Sequence, residues 1–507
     1  MAKRTRSVKN GGTSLDLFLS LDGAGGLRDR IFRSLRSSVL DGRLAPGTRV
    51  PSSRAIASEN GISRNTVLAA YDQLIAEGYF ETLPGSGTYV ASEIPDNTDL
   101  IPKTAVMPEA LPKAEPVLSA FAERALKLRP VGQRAQQAAG VIDFWYGHPA
   151  VDDVPKDIWR KLLLRQLHRM DDAGIGYGAA QGLPALREAI SGYLQRARGI
   201  DSDPDTIVVV NGSQQALDLV ARVMVDPSDR VVVEEPCYPG AREVFAAAGS
   251  RIIPVPVDAD GLDTSMLNAA TNGAARLIYV TPSHQFPTGG SMSVSRRIAL
   301  LDWAYSCGAI VVEDDYDGEF RYGVRPLETL YSMDRMGQVV YVGTLSKSLF
   351  PALRIGFVIA PRSLVPALVA TKRLTDRHTP ILEQFALADF ILEGHFERHL
   401  RRVRKRNSQR RSALLSALAR EFGKTIRTFG ENAGLNLVVE FPGLASDRMS
   451  DLMAAAAAEG VHVYPVSSYY AAPPQAAGLL IGYAALSHDE INEGVRRLGR
   501  AMQALTD

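Results

Sequence analysis

The sequence predicts a multi-domain protein in which a small N-terminal α+β domain precedes a large α/β domain that ends in an α+β subdomain. Two patterns support this prediction. Short helical segments that lead into a glycine-rich turn fill the first 92 residues, and short β-branched apolar runs alternate with helical patterns from about residue 118 onward. With 507 residues, 46% of them hydrophobic, the chain is long enough for about three folded units.

Composition and charge exclude several classes of protein. The formal net charge is +1, so the chain as a whole does not resemble a nucleic-acid-coating protein. The sequence contains no run of about 18 apolar residues and no secretory signal, so we expect no membrane span. Its two cysteines, Cys237 and Cys307, cannot build a disulfide framework and favour a reducing, cytoplasmic location.

Composition also divides the chain into segments. A stretch with five prolines and few large apolar residues predicts a semi-extended linker between the two domains. The first residues are predicted to be a flexible basic tail, with a DNA-contacting arm as the alternative. The predicted boundaries are 1–23 for the tail, 24–92 for the small domain, 93–117 for the linker and 118–507 for the large domain, itself divided at about 150–380 and 381–507.

Apolar runs in the large domain predict its sheets. Each run is short, continuous and rich in β-branched residues, and the spacing leaves room for a crossover helix, as in a mostly parallel α/β sheet. These runs are Ile207–Val210, Val231–Val233, Ile252–Val255, Leu277–Val280, Ile310–Val312, Val339–Val342 and Ile355–Ile359. Three later runs, Leu435–Glu440, Val461–Tyr464 and Leu479–Tyr483, predict the α+β subdomain.

The N-terminal domain has the element order of a winged helix-turn-helix. An amphipathic helix covers 27–39, and a short helix and a tight turn at Gly61 lead to a second helix capped by Ser63. Alternating strands on either side of a glycine-rich turn predict a β-hairpin wing. The apolar face of the second helix is predicted to be Val67, Leu68, Tyr71, Leu74 and Ile75.

The second helix of such a motif enters the DNA major groove with its N-terminal residues on the base edges. Arginine can bind guanine and asparagine can bind adenine there, each through two hydrogen bonds. The segment RVPSSRAIASENGISRNTVLAAYDQLIAEGYFETLPGSGTYV resembles the DNA-binding domain of the GntR family. Reading-helix geometry and this resemblance together imply DNA contacts from Arg54, Ser63, Arg64, Asn65 and Thr66, and from the wing at Gly85 and Gly87.

Two patterns in the large domain indicate a candidate phosphate-binding site and a candidate aromatic residue for stacking on a cofactor. In Asn211-Gly212-Ser213-Gln214 a strand ends and a helix begins, which exposes N–H groups and a hydroxyl to an anion. An ordinary strand-helix turn is the alternative interpretation. Tyr238 follows a strand in a proline-bounded loop, where its ring either stacks on a flat cofactor or packs in the core.

Two further patterns offer a carboxylate and an amine. Asp314 follows a buried strand and could hold a protonated pyridine nitrogen; a metal site is disfavoured because no His/Cys cluster accompanies it. Lys347 lies between two strands, where partial desolvation would favour Schiff-base chemistry, although a surface lysine is the simpler interpretation. Thr344, Ser346 and Arg354 are suited to binding a phosphate.

Together these patterns resemble the fold-type I aminotransferase superfamily over roughly residues 120–505. The resemblance implies pyridoxal 5′-phosphate as the cofactor. It implies that Lys347 forms the internal aldimine, that Asp314 pairs with the pyridinium nitrogen, and that Tyr316 bonds the ring hydroxyl. Tyr238 would stack on the ring, and Tyr177 matches a segment that reaches the phosphate across a head-to-tail homodimer. The implied phosphate ligands are Ser213, Gln214, Thr344, Ser346 and Arg354.

A GntR-type domain joined to an aminotransferase-like domain resembles the MocR subfamily over nearly the whole chain. The segments TPSHQFPTGGSMS, EDDYDGEF and GTLSKSLFPALRIGF look like that subfamily's variants. Leu480 stands where aminotransferases of α-amino acids carry an arginine for the substrate carboxylate. Pro239 and Gly240 stand where γ-aminobutyrate sensors carry another, although Arg242 is near. Phe286 replaces the usual asparagine at the cofactor ring hydroxyl, and His284 or Gln285 is its candidate substitute.

These departures favour a DNA-binding regulator over a catalytic aminotransferase with a DNA-binding appendage. We expect no full transaminase activity, although partial reactions are compatible with Lys347. The expected partners are a double-stranded DNA operator and pyridoxal phosphate, alone as a sensor of vitamin B6 synthesis or together with an amine or amino acid. A basic run between Arg398 and Arg411 is interpreted as a salt-bridged face, with a second DNA-contacting surface as the alternative.

Overall fold

A computed structural model of the chain describes residue 19 and residues 25–94, 116–128, 140–170, 176–322 and 328–506. The chain divides into two compact units, Met1–Pro116 and Val117–Asp507. The predicted basic tail, apart from Leu19, and most of the predicted linker lie outside the described residues. None of the described helices is both long and apolar enough to cross a membrane.

The first unit is a winged helix-turn-helix, which confirms the predicted fold. Its core is formed by apolar side chains from all three helices and the hairpin, among them Ile31, Leu35 and Phe80. Ile75 was expected in this core, but it is 36% exposed because it lies beside, and not on, the stripe that holds Val67 and Leu74. The elements are α1 (Leu27–Leu40), α2 (Ser53–Glu59), α3 (Arg64–Ala76), β1 (Phe80–Leu83) and β2 (Gly87–Val90).

The wing depends on two glycines between its antiparallel strands. Gly85 and Gly87 have φ angles of 75° and 123°, a region that other residues rarely occupy. A Cβ atom at Gly87 would also lie 3.1 Å from Arg49 Nε, so a side chain there would displace Arg49. The hairpin register pairs Glu81 with Tyr89 across this turn.

The second unit contains the α/β sheet and the C-terminal subdomain. Its strands are β3 (Ile142–Asp143), β4 (Ile207–Val210), β5 (Arg230–Glu235), β6 (Arg251–Asp258), β7 (Gly261–Leu262), β8 (Leu277–Val280), β9 (Ile310–Asp315), β10 (Val339–Thr344), β11 (Gly356–Ile359), β12 (Arg427–Phe429), β13 (Asn436–Ala445), β14 (Val461–His462), β15 (Tyr464–Pro465) and β16 (Ala476–Gly482). Its helices are α4 (Ala120–Lys127), α5 (Lys156–Arg169), α6 (Pro184–Arg198), α7 (Ser213–Met224), α8 (Pro239–Ala248), α9 (Leu267–Thr271), α10 (Val294–Cys307), α11 (Leu330–Met333), α12 (Val365–Thr375), α13 (Ile381–Leu392), α14 (His395–Phe422), α15 (Met449–Ala458) and α16 (His488–Thr506).

The central sheet confirms the prediction of a mostly parallel α/β layer. Among the described residues its strand order is β4-β11-β10-β9-β8-β5-β6-β7, and only β11 and β7 run against the others. All seven predicted apolar runs are strands of this sheet. Alternate residues of each strand face opposite sides, so that α7, α8 and α12 cover one face, and α6, α10 and α13 cover the other.

The C-terminal subdomain is built on an antiparallel sheet in the order β12-β13-β16-β15. The first turns of α14, together with α13, pack in the core of the central sheet, where Phe390 and Phe396 are buried. From Ala413 onward α14 packs against the subdomain core, which also includes Ile142 of β3. The predicted division at about residue 381 stays a prediction. The 28 residues of α14 span about 42 Å, long enough to serve both cores.

Candidate functional site

A cavity of about 170 Å³ lies at the carboxyl ends of the parallel strands of the central sheet. The pairing of β9 and β10 brings two of the predicted site residues to this edge. Val342 of β10 pairs with Asp314 of β9, so the turn after β10, which holds Lys347, lies beside the end of β9. The structure brings together nine of the ten residues predicted to bind a cofactor. These are Ser213, Gln214, Tyr238, Asp314, Tyr316, Thr344, Ser346, Lys347 and Arg354.

Asp314 is a buried carboxylate, and one of its two oxygens makes no hydrogen bond among the described residues. Its Oδ2 accepts a hydrogen bond of 2.9 Å from the Tyr279 hydroxyl, but its Oδ1 has no hydrogen-bond partner among the described residues. Burial, together with the charges of Asp315 and Asp317, raises the pKa of Asp314 to about 7, against the lowering effect of the Tyr279 hydrogen bond. The site therefore holds an acceptor that a buried cationic N–H would satisfy.

Lys347 brings an amine into the same cavity. Burial lowers the pKa of its ammonium group, and the charges of Asp317 and Asp314 oppose that effect. A Cβ atom at Gly147 would lie 2.8 Å from Lys347 Nζ, so the backbone at Gly147 closes over the amine. A partly desolvated lysine of this kind is suited to act as a nucleophile towards a carbonyl carbon.

The same cavity is also lined by groups that bind anions. Ser213 is the first residue of α7 and lines the cavity, so the free N–H groups of this helix N-terminus are available there. Arg354 donates from Nη2 to Asn211 O at 2.7 Å, which holds its guanidinium beside that helix end. Thr344 and Ser346 add two hydroxyls, joined by a hydrogen bond of 3.1 Å.

Aromatic side chains also line the cavity. The rings of Tyr238 and Phe286 meet edge to face at 5.7 Å, and the Tyr238 hydroxyl lies 3.5 Å from Gln214 Oε1. Leu480, fully buried on β16, packs in the same cluster as Phe286 and Tyr469. The position that the sequence predicts in place of the carboxylate-binding arginine is thus part of an apolar cluster.

Of the two candidate substitutes for the ring-hydroxyl asparagine, only His284 lies beside a cavity-lining tyrosine. Its Nδ1 is 2.9 Å from the Tyr316 hydroxyl oxygen. The Gln285 side chain instead donates from Nε2 to Pro236 O at 2.7 Å and accepts from the Thr288 hydroxyl at 2.6 Å. Gln285 therefore stabilises the loop and does not face the site.

Tyr177 does not line the cavity of its own chain. It is 83% exposed, and its ring lies 5.2 Å from the Arg377 guanidinium carbon and 6.0 Å from the His378 ring. The expectation that Tyr177 serves a second subunit stays a prediction.

Sequence reasoning missed several residues that line the cavity. Tyr279 carried a signal, because a tyrosine within a fully buried strand needs a partner for its hydroxyl. The others come from segments distant in sequence and carry no local signal. The missed residues are Tyr146, Gly147, Tyr279, Pro351 and Asn436.

The N-terminal unit presents the residues predicted to read DNA. Arg54, Ser63, Arg64 and Asn65 are exposed, and Thr66 is half-buried at the start of α3. Ser63 occupies the N-cap position but its side chain makes no capping hydrogen bond, contrary to expectation. The wing residues Gly85 and Gly87 are exposed and half-buried, respectively.

The basic run on α14 is engaged within the chain. Arg406 and Arg410 both form ion pairs with Asp153, which is 1% exposed. Arg404 donates to Glu319 O, and Arg411 donates to Glu431 O. These contacts favour the interpretation of a salt-bridged face over a second DNA-contacting surface.

Comparison with known proteins agrees with both units. The family model for aminotransferase class I and II matches residues 141–498, and the model for bacterial regulatory proteins of the gntR family matches residues 27–90. The chain is 36% identical over 490 residues to the probable rhizopine catabolism regulatory protein MocR of Rhizobium meliloti, covering 96% of each chain. It is 31% identical to the pyridoxine biosynthesis transcriptional regulator PdxR of Corynebacterium glutamicum, covering 91% of this chain and 92% of that one.

A solved structure shows the same fold for the second unit. The α-aminoadipate aminotransferase LysN of Thermus thermophilus superposes with a TM-score of 0.68 at 32% identity, covering 77% of this chain and 98% of that one. Aminotransferases of this class typically depend on pyridoxal phosphate. The chain therefore belongs to the MocR-like regulators of the GntR family, in which a helix-turn-helix domain is fused to an aminotransferase class I and II domain.

Proposed function

We propose that this protein is a transcription regulator in which pyridoxal phosphate bound at Lys347, alone or with an amine or amino acid effector, controls binding to a DNA operator. The observation that supports the proposal is that a single chain combines an exposed helix beginning at Arg64 with a cavity lined by both Lys347 and Asp314. The first feature is suited to base recognition and the second to an aldehyde cofactor.

The residues of the cavity fit the cofactor. The unsatisfied Asp314 Oδ1 is where a protonated pyridine nitrogen would donate, and the pairing would restore charge to a carboxylate that burial disfavours. The N-terminus of α7 and the Arg354 guanidinium would hold the phosphate, with Ser213, Gln214, Thr344 and Ser346 around it. When bound, pyridoxal phosphate would supply an electrophilic carbon to Lys347 and an electron-withdrawing ring.

The cavity wall supports a regulator over an amino acid aminotransferase. Within the described part of the chain, Lys347 and Arg354 are the cations that line the cavity, and the proposed phosphate uses Arg354. A substrate carboxylate beside Leu480 would be buried without a counter-ion, which is costly. The likeness to LysN keeps an active aminotransferase as the second candidate, and the likeness to PdxR favours pyridoxal phosphate itself as the signal.

A homodimer completes this proposal. Tyr177 is exposed in its own chain, as expected for a residue that reaches the phosphate of a second subunit. Two winged domains in one dimer would bind repeated half-sites whose spacing reflects the arrangement of the domains.

Replacing Asp314 with Asn should stabilise the protein without cofactor and weaken its response to cofactor. The Asp314 pKa rises from 3.8 to about 7 on folding, so the folded state binds this proton more tightly and loses stability as pH rises through that interval. At pH 8, we expect Asp314→Asn to add about 1–3 kcal/mol of stability without cofactor. Thermal unfolding at pH 5 and pH 8 checks this, and a lower midpoint for the variant at pH 8 would contradict it.

Replacing both Arg406 and Arg410 with Gln should destabilise the protein and leave operator affinity unchanged. The double substitution leaves the buried Asp153 carboxylate without either ion pair, so the free energy of unfolding should fall by about 3–5 kcal/mol. The exposed Arg401 provides the matched control through Arg401→Gln, which should change neither quantity. Reduced operator affinity in a folded double variant would instead show that this helix contacts DNA.

The experiment that separates regulator from enzyme compares ligand response with turnover. Wild-type protein loaded with pyridoxal phosphate is titrated with phenylalanine or with phenethylamine, which differ by the carboxylate, in the presence of 2-oxoglutarate as the amino-group acceptor. The absorbance of the bound cofactor between about 330 and 430 nm reports the ligand response, and glutamate formed from 2-oxoglutarate reports transamination of either amine. Turnover at the median rate of enzymes, about 10 per second, would overturn the regulator assignment in favour of an aminotransferase. Cofactor absorbance with negligible turnover is the expected result.

A further inference from the structure

The hydroxyl of Tyr316 lies beside a buried histidine-carboxylate pair. His284 Nδ1 is 2.9 Å from the Tyr316 hydroxyl oxygen and 2.8 Å from Asp317 Oδ2. His284 and Asp317 are each 2% exposed, whereas Tyr316 lines the cavity. Tyr316 therefore lies between this pair and any molecule that the cavity binds.

The chemistry of these three groups determines which of them donates. An ionised carboxylate only accepts hydrogen bonds, so Nδ1 of His284 carries the hydrogen that it shares with Asp317. A protonated Nδ1 cannot accept the proton of Tyr316, and it can donate to the tyrosine oxygen. The Tyr316 O–H is consequently left free to donate into the cavity.

The surroundings hold the imidazole in this orientation. A Cβ atom at Gly289 would lie 3.0 Å from His284 Nε2, and one at Gly434 would overlap the ring. His284 Nε2 is buried and has no hydrogen-bond partner among the described residues, so Nδ1 makes the polar contacts of the ring. An imidazole packed between two glycines has little freedom to turn away from Tyr316.

We propose that His284, oriented by Asp317, is a positioning residue that directs the Tyr316 hydroxyl as a hydrogen-bond donor to the ring hydroxyl oxygen of pyridoxal phosphate. This inference rests on the proposed cofactor site. It accounts for the presence of Phe286 in place of the usual asparagine. The Tyr316 hydroxyl, oriented by His284, would make the hydrogen-bond donation that the asparagine amide otherwise adds. The simpler interpretation, a histidine that only fills the core, predicts an effect on stability alone.

The charges around Tyr316 are consistent with a donor role. Burial raises the pKa of Tyr316 well above its ordinary value, and the neighbouring carboxylates add to that effect. The phenol thus keeps its proton at neutral pH. The carboxylates that act on it are Asp317, Asp314, Glu234 and Asp315.

The test is a pH titration of the absorbance of bound pyridoxal phosphate. A hydrogen bond to the ionised ring oxygen lowers the pH midpoint of this transition, so its loss raises the midpoint. We expect Tyr316→Phe to raise the midpoint by about one pH unit, a tenfold change in proton affinity, and His284→Leu to raise it by about half a unit. Because His284 acts through Tyr316, the double variant should match Tyr316→Phe.

A pair of polar substitutions keeps the test valid if leucine prevents folding. In His284→Asn the amide lies near the place of Nδ1, so the wild-type midpoint should return. In His284→Gln it lies near the place of Nε2, away from Tyr316, so the midpoint should stay high. Tyr464→Phe, which loses a buried hydrogen bond to Asp143, is the stability control and should not move the midpoint.

The outcomes distinguish this inference from the proposed function. A wild-type protein without a cofactor band that depends on Lys347 would overturn the cofactor site itself. A normal band whose midpoint is the same in wild type, His284→Leu and His284→Gln would overturn the positioning role alone. Shifts from His284→Leu that persist in the Tyr316→Phe background would show a direct electrostatic effect and would also overturn it.

Discussion

Lys347→Ala is expected to abolish the Schiff-base absorbance band that pyridoxal phosphate forms with the protein and to weaken cofactor binding by about 100-fold, or roughly 2.7 kcal/mol. The contacts that Asp314 and Arg354 would still make with the cofactor are non-covalent. The variant loses the one amine that lines the cavity in the described part of the chain. Titration followed by absorbance and by calorimetry measures both quantities.

The matched control is Lys347→Arg. It keeps a positive charge but lacks the nucleophilic amine, so it should lose the band while it retains part of the electrostatic attraction for the phosphate. At a cofactor concentration of 100 times its dissociation constant, wild type should gain about 2.7 kcal/mol of stability. An alanine variant that keeps both the band and the affinity of wild type would rule out Lys347 as the attachment point.

Arg64→Ala is expected to reduce specific operator affinity by about 1–3 kcal/mol and to leave the cofactor absorbance unchanged. Arg64 is exposed at the first turn of α3, and its module is a separate compact unit from the cofactor cavity. The operator can be selected from a pool of random DNA by the wild-type protein, and fluorescence anisotropy then gives affinity for selected and unrelated fragments.

The comparison of two fragments distinguishes base reading from phosphate contact. If Arg64 reads a base, the variant loses affinity for the operator more than for unrelated DNA, and specificity at one position relaxes. Arg28→Ala is the control, because Arg28 is exposed and ion-paired with Asp29 on α1. Equal losses on both fragments, with a weaker salt dependence, would assign Arg64 to the phosphate backbone.

Much of this fold could be predicted from sequence because its signals are local. Buried parallel strands such as Ile207–Val210 are continuous apolar runs, and the element order of the winged domain follows from periodicity and glycine turns. The contribution of α14 to two cores could not be predicted, because its sequence does not show where one core ends and the other begins. Ile75 continues the helical pattern, and only packing shows that it lies outside the core.

Site residues could be predicted where a reactive side chain stands at the end of a predicted strand. Lys347 and Asp314 stand out because an amine and a carboxylate at strand ends suit a single cofactor. Tyr146 and Asn436 could not be found in this way, since long-range packing brings them to the cavity. The role proposed for His284 likewise depends on Gly289 and Gly434, which approach it only in the folded chain.

Operator affinity with and without pyridoxal phosphate, measured for wild type and Lys347→Ala, shows whether the Lys347 site controls DNA binding. We expect saturation with cofactor to change the wild-type dissociation constant by about 5–150-fold, the usual range of allosteric coupling, and to leave that of the variant unchanged. The Schiff-base band confirms occupancy of the wild type, and calorimetry measures cofactor binding by the variant. Equal operator affinity for fully loaded and cofactor-free wild type would contradict the claim that the Lys347 site controls DNA binding.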